Sequence, residues 1–117
     1  MFAAYLIITV LTIVANAWAT AADLAQPKWL LANMDEVGVP RPWLPPLAAL
    51  KAAGAAGLLL GLLGLRPLGI AAAAGLALFF TAALAAHVHA RAFHNIAVPG
   101  AYFALALAST VLAITAH

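Results

Sequence analysis

The chain has 117 residues, 68% of them hydrophobic and 7% charged, with a mean hydropathy of +1.11. Soluble domains carry about 25% charged residues, so this polar surface is too small to coat a globule and the expected solvent is lipid. A net charge of +2 on scattered basic residues argues against a nucleic-acid partner, and the absence of cysteine removes disulfides, thiolate metal sites and CxxC relays.

A membrane span needs about 20 largely apolar residues. Residues 2–22 supply the first. Ala15-Asn16-Ala17 and Ala17-Trp18-Ala19 resemble signal-peptide cleavage sites, but no Lys or Arg precedes the long apolar run, so a retained span is expected. The link at 23–43 is the one long connection. Pro27 can open a helix there and Gly38 can end it. Leu30, Met34 and Val37 fall on one helical face, with Lys28, Asp35 and Glu36 elsewhere. A short amphipathic helix over 27–37 is therefore predicted, lying against the bundle mouth or the membrane interface.

Pro45 and Pro46 suit the opening turn of a second span at 44–65. Gly57-x-x-x-Gly61 inside it lets another helix approach closely. Arg66-Pro67 then separates it from a third span at 68–90, and 91–95 leads to a fourth at 96–116. Lipid offers no partner to unpaired backbone groups, so all spans are helical. The expected fold is all-α: a single domain over 1–117, forming an integral membrane four-helix transmembrane bundle. The glycine faces also leave room for a homo-oligomer. Lys28, Arg41 and Arg91 lie in the first and third links, against Arg66 on the other side. That balance predicts that the 23–43 and 91–95 links face the cytoplasm.

The polar residues converge. At about 1.5 Å per helical residue, seven positions are about 10 Å. Asn16 lies that far inside the first span and Asp23 at its end; Lys51 lies at similar depth in the second span. His87 is about one turn inside the end of the third, with His89, Arg91, His94 and Asn95 following. Apart from Arg66 and His117, the strongly polar residues fall in one half, and the other half reads as almost pure Ala, Leu, Gly, Val and Ile. An ionisable group inside a bilayer is a functional-site hypothesis. Lys51 can snorkel to the headgroups, or point inward to Asp23 or Asn16 and act as an acid or an anion binder. His87 is a packing histidine or a member of the same site; His87 and His89 point about 200° apart, so they do not share one. Asn16 glues helices or orients a catalytic group. Asp23 ends its helix or acts as a base. Trp18, Trp29 and Trp43 fit interfacial anchors. Tyr5 and Tyr102 sit toward opposite ends of their helices and suggest no shared role. No His pair at i,i+4 or carboxylate pair points to a metal.

The stretches MDEVGVPRPWLPPLAALKAAGAAGLLLGL (34–62), PLGIAAAAGLALFFTAALAAHVHAR (67–91) and HNIAVPGAYFALALA (94–108) resemble the DoxX-like family of small four-span bacterial membrane proteins. The resemblance covers nearly the whole chain and implies a bacterial inner-membrane location. It associates the chain with a quinone-reducing thiosulfate oxidoreductase and with thiol-redox membrane complexes. The absence of cysteine departs from any thiol-using relative.

Three functions follow. The first is an intramembrane enzyme, of hydrolase or isomerase type, doing acid–base chemistry on an epoxide or carbonyl of a lipophilic small molecule. Its catalytic residues would be Asp23, Lys51, His87 and Asn16, its substrate-binding residues Trp18, Trp43, Arg91 and Asn95, and it would need no cofactor. The second is a quinone-binding subunit of an oxidoreductase, with a redox partner subunit to deliver electrons. The third is a non-enzymatic scaffold or carrier.

Overall fold

The structure is a computed structural model describing residues 1–116; His117, set apart from the polar mouth in the sequence, lies outside the described residues. The described residues form five α-helices and no strand: α1 (Phe2–Ala25), α2 (Lys28–Glu36), α3 (Leu44–Leu62), α4 (Arg66–His89) and α5 (Ala97–Thr115). Short 3-10 turns at Arg41–Trp43 and Phe93–Asn95 lead into α3 and α5. The four long helices are long and apolar enough to cross a membrane. The molecule measures 42 × 24 × 18 Å, so its long axis matches a bilayer of about 40–45 Å with its headgroups. Large apolar side chains such as Leu63, Leu78, Val14 and Val98 face outward, as lipid contact requires.

In cross-section α1 packs on α3 and α5, and α4 also packs on α3 and α5. Thus α1 and α4 stand at diagonal corners. The core is small: Leu58, Ala73, Leu76, Phe80 and Ala106. Glycine makes the rest possible. A Cβ on Gly61 would lie 2.6 Å from the Gly69 backbone, and one on Gly57 2.6 Å from the Ala72 Cβ. The close-approach face seen in the sequence is therefore used within the chain, by α4, rather than left for a second copy.

Two helix ends differ from expectation. Arg66-Pro67 is not the link between the second and third spans. Proline has no N–H to donate and is tolerated in a first helical turn, so Arg66 and Pro67 open α4. The turn falls to Gly64, whose φ of 119° closes α3, with the Leu65 N–H donating to the Leu60 carbonyl. Arg66 then holds the C-terminus of α5: its Nε donates to the Ala113 carbonyl at 2.8 Å. In addition, α1 runs on to Ala25, so Asp23 lies within its last turn rather than ending it.

The half away from α2 is less uniform than its composition suggests. Thr9, Thr12 and Ser109 are buried there, with the Thr12 and Ser109 hydroxyls 2.8 Å apart. Thr12 also donates to the Ile8 carbonyl at 2.7 Å. Because Thr and Ser can bond back to their own helix, they enter an apolar span at little cost.

Candidate functional site

At the α2 end the four helices part around a cavity of about 410 Å3. Bulk at the facing positions holds them apart. Phe79, Phe80 and Tyr102 line its inner end, Phe80 and Tyr102 with ring centroids 5.1 Å apart. Trp18, Trp29, Trp43, Leu47 and Leu50 line its sides, and Leu30 and Met34 of α2, with Val37 just beyond its end, cover it. The apolar face of α2 is thus turned inward, and Lys28, Asp35 and Glu36 stay exposed. At the C-terminal end of α2, Gly38 has φ 77° and the Val39 N–H reaches the Met34 carbonyl at 2.8 Å.

Three contacts fasten this cover. Trp29 stacks on Trp18 with centroids 6.0 Å apart. Asn33 accepts from Asn95 Nδ2 at 3.0 Å. Glu36 meets His94 at 3.2 Å. They tie α2 to α1 and to the turn before α5.

Asp23 and Lys51 meet in the cavity wall. The Lys51 Nζ donates to Asp23 Oδ2 at 2.7 Å, with the two side chains 13% and 5% exposed. The Lys51 ammonium therefore turns inward and does not snorkel. It also stands 5.4 Å from the centre of the Phe79 ring, within range of a cation–π attraction. The ammonium keeps two further N–H donors and the carboxylate its second oxygen. A paired charge of this kind in an otherwise apolar chamber is a rare environment for both groups.

The remaining sequence-predicted residues divide. His87 lines the cavity and is buried, but on α4, diagonal to Asp23. Its Nδ1 sits 2.8 Å from the Ala83 carbonyl. Trp18, Trp43 and Asn95 also line it. Asn16 does not: it is fully buried beneath, donating to the Thr12 carbonyl at 2.9 Å while its Oδ1 has no partner. Arg91 does not line it either. It has φ 57° and is exposed, since the Ala92 N–H caps α4 on the His87 carbonyl and ends the helix before Arg91 can share a face with His87.

Sequence reasoning missed Asn33, Phe79, Phe80 and Tyr102. The spacing of Leu30, Asn33 and Val37 already put Asn33 on the inward face of α2. Tyr102 lies only five residues into α5, at the α2 end, and donates to the Ala15 carbonyl at 2.9 Å. Comparing it with Tyr5 rather than with Lys51 hid that depth.

The fold and the cavity define a small four-span membrane protein with an internal chamber near one face. The chain belongs to the DoxX-like family, whose model matches residues 7–109. Comparison with curated proteins and with solved structures finds no match.

Proposed function

We propose that the protein is a small intramembrane enzyme doing acid–base chemistry on a lipophilic molecule that carries a reactive oxygen, such as an epoxide or a carbonyl. The observation that carries this is the 2.7 Å Asp23–Lys51 pair in the wall of an otherwise apolar cavity. A structural ion pair gains little over well-packed apolar residues of the same volume. A charged acid and base facing an open chamber have work available to them.

On an epoxide, the Lys51 ammonium donates its proton to the ring oxygen as the carbon–oxygen bond breaks. Asp23 takes a proton from the water whose oxygen forms the new bond to carbon. Passing that proton from Asp23 to the neutral Lys51 amine restores both groups, and the product is a diol. On an enone, Asp23 removes a proton from carbon, Lys51 stabilises the enolate oxygen, and Asp23 returns the proton to another carbon of the conjugated system, giving an isomer and restoring the carboxylate. Trp18 and Trp43 hold the hydrocarbon. Asn16, below the cavity, fixes α1 rather than touching substrate.

In this scheme the protein sits in a bacterial inner membrane with the α2 end toward the cytoplasm. Lys28, Arg41 and Arg91 at that end against Arg66 at the other support the orientation. The test is turnover of a panel of lipophilic epoxides and enones by the purified protein in lipid. Lys51→Ala and Asp23→Asn should each lower turnover at least about a hundredfold, the usual scale of one acid or base group. Unchanged turnover in both variants would end the proposal. A ligand that binds unaltered would make the chain a carrier.

A further inference from the structure

His87, Asn33 and Asn95 are further polar side chains lining the same cavity, which the Asp23–Lys51 chemistry does not use. His87 comes from α4, diagonal to Asp23 on α1. Asn33 comes from the cover and Asn95 from the turn before α5. All three line the cavity.

Their hydrogen-bonding capacity is only partly spent. A carbonyl oxygen can only accept, so the 2.8 Å contact to Ala83 places a hydrogen on His87 Nδ1. In the neutral ring Nε2 then offers a lone pair. The residue is 7% exposed and Nε2 has no partner among the described residues. Asn95 and Asn33 share one hydrogen bond of 3.0 Å. Whichever way the two amides are turned, one keeps its whole NH2 group free and the other keeps its carbonyl oxygen and one N–H. These atoms are open to the cavity and available to a ligand.

With the imidazole neutral, the set offers acceptors, Nε2 and an amide oxygen, together with N–H donors on both amides. A carboxylate or phosphate would use only the donors and leave the acceptors unpaired. A hydroxyl matches: it donates to His87 Nε2 or to an amide oxygen and accepts from an amide N–H. A carbonyl oxygen uses only the donors. We propose that these cavity-lining groups bind a neutral hydroxyl group of the ligand. Resting on the acid–base function proposed above, the substrate is then a lipophile with two oxygen functions, one reacting at Lys51 and one held across the cavity by His87, Asn33 and Asn95. The cavity, at about 410 Å3, lies within the range of about 300–1,000 Å3 usual for small-molecule sites.

The test compares two probes: the epoxide of a sesquiterpene alcohol, and the same epoxide with hydrogen in place of the hydroxyl. Binding to the protein in nanodiscs is followed by tryptophan fluorescence, which Trp18, Trp29 and Trp43 supply from the cavity wall, and corrected for partition of each probe into lipid. The native protein should favour the hydroxylated probe about tenfold, the scale of one hydrogen bond. His87→Phe should erase most of that preference and leave the hydroxyl-free probe unchanged; Asn95→Leu should also erase it, with any loosening of the cover weakening both probes alike. His87→Gln, which keeps an acceptor, should retain part of it. Equal or absent binding of the two probes by the native protein overturns the proposal, as does a preference that survives both apolar variants. Turnover is not read here. A preference without any epoxide opening supports the hydroxyl-binding role and counts only against the acid–base function; turnover without a preference does the reverse.

Discussion

The two ends of the bundle use the same four helices in opposite ways. Away from α2, Gly57 and Gly61 bring α3 onto Ala72 and Gly69 of α4 until their backbones nearly touch. At the α2 end, Lys51, Phe79, Phe80 and Tyr102 occupy the equivalent facing positions and the helices part. The change from solid to hollow falls between Gly54, against Leu76, and Lys51, one turn earlier on α3. Side-chain volume at a few facing positions therefore decides where a bundle this thin can hold a ligand. The closed half supplies rigidity, and the open half carries the only ion pair between spans among the described residues.

The largest effect should come from splitting that pair. Lys51→Ala leaves Asp23 buried without its counter-ion and should cost about 3–5 kcal/mol of stability, measured by reversible unfolding in mixed micelles. Replacing both groups, Asp23→Leu with Lys51→Met, should recover most of the loss while abolishing turnover. A double variant as unstable as the single one would show that the pair is structural, erasing the functional contrast between the two ends. Next, Gly61→Leu attacks the closed end. It forces a side chain into the Gly69 backbone and should cost about 1–3 kcal/mol, with the cavity's ligand affinity unchanged if the two halves are independent. Third, Trp29→Ala removes the stack on Trp18, an interaction of about 0.5–1.5 kcal/mol. Hydrogen exchange at α2 should quicken by up to about tenfold while α3 and α4 keep their protection. The smallest effect is expected at Thr12→Val, which removes the hydroxyl contact to Ser109. Hydrogen bonds between membrane helices average about 0.6 kcal/mol, and a loss above about 2 kcal/mol would mean that the closed half depends on its polar seam more than on its glycines.

Much of this contrast was legible in the sequence, and the reasons are particular. Four apolar runs dictate four helices, because lipid allows a backbone no other choice. Leu30, Met34 and Val37 repeat at helical spacing, so the inward face of α2 followed from periodicity. The depth of Asp23 and Lys51 could be counted along their helices, but the turn of Lys51 toward Asp23 rather than toward the headgroups depends on the packing of α1 against α3. His87 was placed at the right depth, yet counting depth says nothing of which corner of the bundle α4 occupies. That is why its diagonal position, and the cavity it shares with Asn33, became visible only in the fold. Arg91, expected to bind substrate, lies one helical turn after His87, but the left-handed turn at Arg91 ends the helix and leaves it exposed. Thr12 and Ser109 were passed over because hydroxyls weigh little in hydropathy, although two of them facing one another fix the register of α1 against α5.

The central claim is that the open half is a chamber in which Lys51 meets the reactive oxygen of a lipophilic molecule. A structure of the protein in lipid with a slowly reacting epoxide or its diol product bound tests this most directly. The account predicts density filling the space beneath α2, with one ligand oxygen within hydrogen-bond distance, about 2.7–3.2 Å, of Lys51 Nζ and the hydrocarbon against Trp18 and Trp43. A cavity that stays empty at saturating ligand, or a ligand seated with its oxygen away from the Asp23–Lys51 pair, would contradict it.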